Sequence, residues 1–66
     1  MTHALIVEDD VDSAATLKDL IVSEGLTVST AFNLMDARKQ LVLQPPDIVL
    51  LDLRLPDGSG MDLFKD

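Results

Sequence analysis

Hydrophobic and polar positions divide this chain into blocks that predict alternating strands and helices. Residues 4–7 and most of 47–53 are continuous apolar runs, which is typical of strands covered on both faces of a sheet. The second run is the most apolar and is predicted to be the most central strand. Residues 27–31 are partly polar and rich in β-branched side chains, which favours an edge strand. The segments between these runs space their apolar residues as a helix face requires, so the pattern predicts βαβαβ.

The first predicted helix covers residues 12–24 and is bounded by residues that suit helix ends. Asp10 or Asp12 can cap its start, and Gly25 suits the left-handed residue that often follows a helix. The positions expected to face the core are Ala14, Leu17 and Ile21. Such an amphipathic helix packs its apolar stripe against a sheet.

The second predicted helix begins after Asn33, a favourable N-cap, and ends before the pair Pro45 and Pro46. The stripe expected to be buried consists of Leu34, Ala37 and Leu41. After the third strand, turn-forming residues lead to Ser59, which forms a helix-start pair with Asp62. A third helix is therefore predicted to begin near Ser59.

The predicted topology brings acidic residues to one edge of the sheet. Right-handed crossovers make the three strands parallel in the order 2-1-3, and the carboxyl ends of strands one and three are then neighbours. Glu8 and Asp9 follow the first strand, and Asp52 follows the apolar run of the third. Because close carboxylates repel one another, the cluster predicts a bound cation, and Mg²⁺ is the hard ion that prefers oxygen ligands.

Length and charge exclude several functional classes. The 66-residue chain has five basic and twelve acidic residues, and its net charge of −7 argues against direct binding to nucleic acid. It has no cysteine, and no apolar stretch approaches the roughly 18 residues of a membrane-spanning helix. We therefore expect one small α/β domain in the cytoplasm, without contact with a membrane.

Two segments carry a family resemblance: LIVEDD at residues 5–10 and IVLLDLRLPDGSG at residues 48–60. Together they resemble the receiver domain of bacterial two-component response regulators. The resemblance implies a flavodoxin-like, three-layer α/β fold with a parallel sheet. Residues 1–66 correspond to the first half of such a domain, so the expected fold is truncated to βαβαβ and the start of a third helix.

The resemblance also implies roles for the acidic residues. Asp52 takes the place of the phospho-acceptor, which receives a phosphoryl group from a sensor histidine kinase. The implied Mg²⁺ ligands are Asp9, Asp52, the backbone carbonyl of Arg54, and Glu8 either directly or through water. A parent protein would pass the signal to an output domain, with transcription as the expected process. The chain itself is expected to be a phosphoryl acceptor and not a free-standing turnover enzyme.

A second hypothesis is a dimerisation or docking module that acts without phosphorylation. The resemblance implies a Ser or Thr and a Lys on later strands, which residues 1–66 do not include. Strand three would also lack a neighbour on its outer side, and unpaired strand edges tend to associate. We expect the resulting homo-oligomer to bury Leu51, Leu53 and Leu55. An aspartyl phosphatase is less favoured, because such enzymes typically place a second acid where this chain has Arg54.

Several other residues are predicted to have structural roles only. His3 precedes the first strand, has no partner acid at a suggestive spacing, and is expected to be exposed. Asp57, among Pro56, Gly58 and Gly60, is expected to be an ordinary turn residue. The other large side chains expected in the core are Met35, Met61 and Phe64.

Overall fold

The computed structural model describes residues 2–64 and confirms the predicted parallel sheet, in the order β2-β1-β3. The strands are β1 (His3–Val7), β2 (Thr27–Ala31) and β3 (Ile48–Leu51). The helices that connect them are α1 (Val11–Ser23) and α2 (Leu34–Leu43). Both strand pairs are parallel, so all three strands end at one edge of the sheet. No helix within residues 2–64 combines the length and the apolar character needed to cross a membrane.

The centre of the structure is β1. All five of its residues are buried, although successive side chains of a strand point to opposite faces. Leu5 and Val7 belong to a core cluster that includes Leu34 and Ala37 of α2. Ile6 is equally buried and points to the opposite face, against which α1 packs. Helices therefore cover both faces of the sheet, which confirms the three-layer architecture.

In the described part of the chain β3 is an edge strand, as the predicted order 2-1-3 requires, and only β1 is central, so β3 is not the most central of the three strands. It is also shorter than the predicted 47–53, because it ends at Leu51. Ile48 is 44% exposed, and the other three residues of β3 are half-buried. An apolar composition does not by itself make a strand central, since burial requires neighbours on both sides, and only β1 has them.

The predicted helix ends are confirmed. Asp10 is the N-cap of α1, and its carboxylate accepts a hydrogen bond from the Asp12 N–H at 3.2 Å. Asn33 caps α2 and accepts from the Asp36 N–H at 2.8 Å. Gly25 follows α1 with a φ of +88°, a left-handed conformation that glycine adopts without steric cost. Of the two candidate caps for α1, Asp10 is therefore the one used.

A short hairpin that the sequence analysis did not predict follows β3. Its strands are β4 (Arg54–Leu55) and β5 (Gly58–Ser59), and a 3₁₀ helix (Gly60–Phe64) begins where an α-helix was predicted. The predicted pair of Ser59 and Asp62 is present. The Ser59 N–H donates to the Asp62 carboxylate at 3.3 Å, and the Met61 N–H donates to Ser59 Oγ at 3.3 Å.

Three predictions about burial are wrong. His3 is only 6% exposed, because it is the first residue of β1 and not a residue before it. Leu55 is buried in the core cluster, so it is not available to an intermolecular surface. The side chains of Met35, Met61 and Phe64 are exposed, because their helices present other residues to the core.

Candidate functional site

The ends of β1 and β3 place two acidic residues side by side. The Glu8 N–H donates to the Ala31 carbonyl at 3.0 Å, and the Asp52 N–H donates to the Val7 carbonyl at 2.9 Å. These bonds continue the parallel ladders one residue beyond the strand ends. The sheet therefore holds the backbone of both acids in place.

Glu8, Asp9 and Asp52 form the acidic cluster that the sequence predicted. One carboxylate oxygen from each lies within 4.8 Å of the others. Glu8 and Asp52 are half-buried, whereas Asp9 is exposed. Three hard oxygen donors at an open sheet edge suit Mg²⁺, which keeps several waters when it binds to proteins. Asp10 does not belong to the cluster, because its carboxylate caps α1.

The pKa values of Glu8 and Asp52 are shifted in opposite directions. Burial raises the pKa of Glu8, and a hydrogen bond to Asp52 and the negative charge of Asp52 raise it further. The Arg54 N–H, 3.1 Å from Asp52 Oδ1, lowers the pKa of Asp52, and the hydrogen bond with Glu8 lowers it as well. The lowered pKa favours the ionised form of Asp52, which is the form a carboxylate nucleophile needs.

Arg54 presents its backbone N–H to the cluster. The Gly60 N–H donates to the Leu53 carbonyl at 3.0 Å, so these two residues are a hydrogen-bonded pair of the hairpin. In an antiparallel ladder, hydrogen-bonded and non-hydrogen-bonded pairs alternate. The next pair, Arg54 with Ser59, therefore directs its N–H and C=O groups away from the partner strand. The Arg54 N–H follows this rule, because it donates to Asp52 Oδ1. The ligand role of the Arg54 carbonyl stays a prediction.

An open cleft lies beside the acids, between α1 and β3. Its lining residues are Val7, Glu8, Leu17, Leu50, Leu51 and Asp52. Most of these residues are apolar, so Glu8 and Asp52 form the polar rim of a hydrophobic cleft.

Gly60 packs directly against the backbone of Asp52. It is buried, and a methyl group on its Cα would collide with the Asp52 carbonyl oxygen and crowd the Leu51 side chain. Its φ is not positive, so glycine is required here for the close approach and not for a left-handed conformation. The sequence around Gly60 predicted only a turn and carries no signal for this contact.

Asp57 is a second residue whose contacts the sequence analysis missed. Its carboxylate accepts hydrogen bonds from the Leu34 N–H at 2.8 Å and the Met35 N–H at 3.2 Å, at the start of α2. The bond from Leu34 lowers the pKa of Asp57, and the bond from Met35 contributes. The partners lie more than 20 residues apart in the chain, so no local pattern indicates the contact.

The burial of His3 has a polar explanation. Its Nδ1 is 2.6 Å from Thr27 Oγ1 and its Nε2 is 2.9 Å from Ser29 Oγ, both on the neighbouring strand β2. Thr27 and Ser29 carry hydroxyl groups and lie on a strand that was predicted to pair with β1. They are the sequence signal that could have indicated a buried, hydrogen-bonded His3. His3 lies at the opposite end of β1 from Glu8, so it takes no part in the acidic cluster.

Comparisons with known proteins identify the family. The sequence profile of the response regulator receiver domain matches residues 4–66. The chain belongs to the response regulator receiver family. The response regulator protein PilR of Pseudomonas aeruginosa is 43% identical over 62 residues, which are 94% of this chain and 14% of that protein. The KDP operon transcriptional regulatory protein KdpE of Escherichia coli K12 is 35% identical over 66 residues, 100% of this chain and 29% of that protein.

Solved receiver domains share this fold. Response regulator protein TrrA of Thermotoga maritima, in complex with Mg²⁺-BeF, has a TM-score of 0.90 and 32% identity over 96% of this chain and 55% of that chain. The non-phosphorylated HemR receiver domain of Leptospira biflexa has a TM-score of 0.87 and 38% identity over 96% of this chain and 51% of that chain. This receiver chain therefore spans about half the length of these solved chains. The TrrA structure contains Mg²⁺-BeF, and residues 2–64 of this chain carry an acidic cluster at the ends of β1 and β3.

Proposed function

We propose that Asp52 accepts a phosphoryl group from a sensor histidine kinase, at a Mg²⁺ site formed by Glu8, Asp9, Asp52 and the Arg54 carbonyl. The observation that supports this best is the convergence of three carboxylate oxygens within 4.8 Å at the ends of β1 and β3. Residues 1–66 are then the first half of a receiver domain. Such a domain is a signalling module that is itself phosphorylated, and not a turnover enzyme.

The proposed reaction is an attack by Asp52 on phosphorus. A carboxylate oxygen forms a new P–O bond, the P–N bond to the kinase histidine breaks, and the leaving nitrogen keeps the electron pair. The hydrogen bonds from the Arg54 N–H and with Glu8 lower the pKa of Asp52, which favours its ionised form. The Arg54 N–H orients Asp52 by binding one of its two oxygens. Bound Mg²⁺ would neutralise negative charge on the phosphoryl oxygens.

The signalling partners of this chain follow from family membership as further proposals. They are a sensor histidine kinase as phosphodonor and an output domain as the target of the signal. We propose regulation of transcription as the process, because similar chains such as KdpE are transcriptional regulatory proteins. We also propose a cytoplasmic location, and no direct contact of this segment with nucleic acid, because its net charge is −7.

Incubation of the chain with acetyl phosphate and Mg²⁺ is expected to add one phosphoryl group, measured by intact mass spectrometry. Asp52→Asn is expected to stay unmodified, because the amide has nearly the same size but is not a nucleophile. Asp12→Asn removes an exposed acid outside the cluster and is expected to gain the group as the wild type does. A mass gain in Asp52→Asn, or no gain in the folded wild type, would contradict the proposal.

A second candidate function is association without phosphorylation, through the outer edge of β3. Within residues 2–64 no strand pairs with this edge, and Ile48 and Leu53 are 44% and 57% exposed beside it. A second copy of the chain could pair its own β3 there, as unprotected edges tend to do. The apolar cover would then come from Ile48, Leu51 and Leu53, and not from the buried Leu55.

Sedimentation velocity is expected to show a dimer that Ile48→Lys converts to a monomer, because a lysine at a strand edge opposes edge pairing. Leu20→Lys adds the same charge at an exposed apolar position of α1 and is expected to leave the dimer intact. A wild-type chain that sediments as a monomer and unfolds cooperatively would rule out this second function.

A further inference from the structure

Asp57 connects the hairpin to α2 although α2 already has a local cap. The first N–H groups of a helix have no partner within the helix. Asn33 satisfies the Asp36 N–H from within the same segment. Asp57 satisfies the two preceding N–H groups, those of Leu34 and Met35, from the turn between β4 and β5. Because Asp57 lies at the tip of the hairpin, these two hydrogen bonds also fix the tip of the hairpin against α2.

The other end of the same hairpin contacts Asp52, the proposed phospho-acceptor. The Arg54 N–H donates to the Asp52 carboxylate, and the Gly60 N–H closes the hairpin on the Leu53 carbonyl. The Cα of Gly60 lies against the Asp52 carbonyl with no room for a side chain. The hairpin therefore connects two parts of the structure. Its tip is bound to α2 through Asp57, and its base contacts Asp52 through Arg54 and Gly60.

This hairpin is too short to be stable alone. Each of its strands has only two residues, and even longer two-stranded hairpins are marginal in water. Leu55 anchors β4 in the core cluster, whereas β5 is exposed. The carboxylate of Asp57 supplies two hydrogen bonds to backbone amides, and hydrogen bonds to a charged group are stronger than those between neutral groups.

We propose that Asp57 is a positioning residue for the acceptor site: by binding the start of α2 it holds Arg54 in place beside the Asp52 carboxylate. The inference rests on the proposed role of Asp52. Asp57 does not touch the acidic cluster, and it acts through Arg54, whose N–H orients Asp52 and whose carbonyl is a proposed Mg²⁺ ligand.

The test compares Asp57→Ala with Asn33→Ala in this chain. Both variants lose hydrogen bonds at the same end of α2, but only the first releases the hairpin. At temperatures equally far below each melting point, Asp57→Ala is expected to speed amide hydrogen exchange at Arg54 and Gly60 roughly ten-fold more than Asn33→Ala, the order expected for a lost charge-assisted bond. Asp57→Asn keeps one acceptor oxygen and is expected to restore part of the protection.

Phosphorylation by acetyl phosphate provides the second measurement. The rate is expected to fall several-fold further in Asp57→Ala than in Asn33→Ala, with Asp57→Asn between the wild type and Asp57→Ala. If Asp57→Ala and Asn33→Ala change exchange at Arg54 and Gly60 equally, Asp57 is only a helix cap and the inference is overturned. If the exchange data agree but the folded wild type is never phosphorylated, the proposed function fails while the structural link from Asp57 to Arg54 stands.

Discussion

Gly60→Ala is expected to destabilise the chain severely and to displace Asp52. The added methyl group would collide with the Asp52 carbonyl, and the Asp52 backbone cannot retreat easily because its N–H is bonded to Val7 in the sheet. Overpacking against a fixed backbone costs about 3 kcal/mol or more. A chain of this length is typically stable by roughly 3–10 kcal/mol, so much of the stability would be lost. Urea unfolding followed by circular dichroism measures the difference.

Gly25→Ala is the matched control for this variant. Gly25 has a φ of +88°, but no atom lies within 4 Å of an added Cβ, so only the left-handed conformation is penalised, at about 1 kcal/mol. Phosphoryl acceptance is expected to be normal in Gly25→Ala and slower in whatever fraction of Gly60→Ala remains folded. Equal losses of stability in the two variants would contradict the close approach of Gly60 to Asp52.

Asp9→Asn is expected to weaken Mg²⁺ binding by on the order of 10–100-fold, because even the loss of a residue that only supports a metal ligand has effects of that size. Asp9 contributes one of the three converging carboxylate oxygens, and the amide removes its negative charge. Its side chain is exposed, so the fold itself is expected to tolerate the change. Isothermal titration with MgCl₂ at constant ionic strength measures the affinity.

The control for Asp9→Asn is Asp12→Asn, which removes the same charge from an exposed acid in the first turn of α1. Its effect on Mg²⁺ affinity is expected to be small, because salt screens the interaction between an ion and a charge that does not bind it. Mg²⁺ should also raise the melting temperature of the wild type and of Asp12→Asn, but much less that of Asp9→Asn. Equal losses of affinity in both variants would indicate a response to net charge and not ligation by Asp9.

The elements of the fold could be predicted from the sequence because their causes are local. The continuous apolar residues of β1, the helical spacing on α1 and α2, and the side chains of Asp10 and Asn33 act within a few residues of themselves. The parallel order 2-1-3 followed from the handedness of the crossovers. That order in turn predicted that Glu8, Asp9 and Asp52 would converge, as they do.

The apolar composition of β3 predicted the most central strand, whereas the order 2-1-3 predicted an unpaired outer edge, and within residues 2–64 only the second prediction is confirmed. Its apolar composition is real, but centrality depends on which strands pair with it, and in the described residues it has only β1 as a neighbour. Likewise, the position of His3 before the predicted first strand suggested exposure, and only the pairing of β1 with β2 placed Thr27 and Ser29 beside its ring.

The sequence by itself therefore determined the order of strands and helices, the helix caps and the three acids at one sheet edge. Tertiary structure alone decided the features that make these acids a defined site: the hairpin after β3, the contact of Gly60 with the Asp52 carbonyl, the hydrogen bonds that Asp57 accepts from α2, and the opposite pKa shifts of Glu8 and Asp52. Helix caps and apolar stripes depend on residues three or four positions apart. The other features depend on contacts between backbone and side-chain groups that approach each other only when the whole chain is folded.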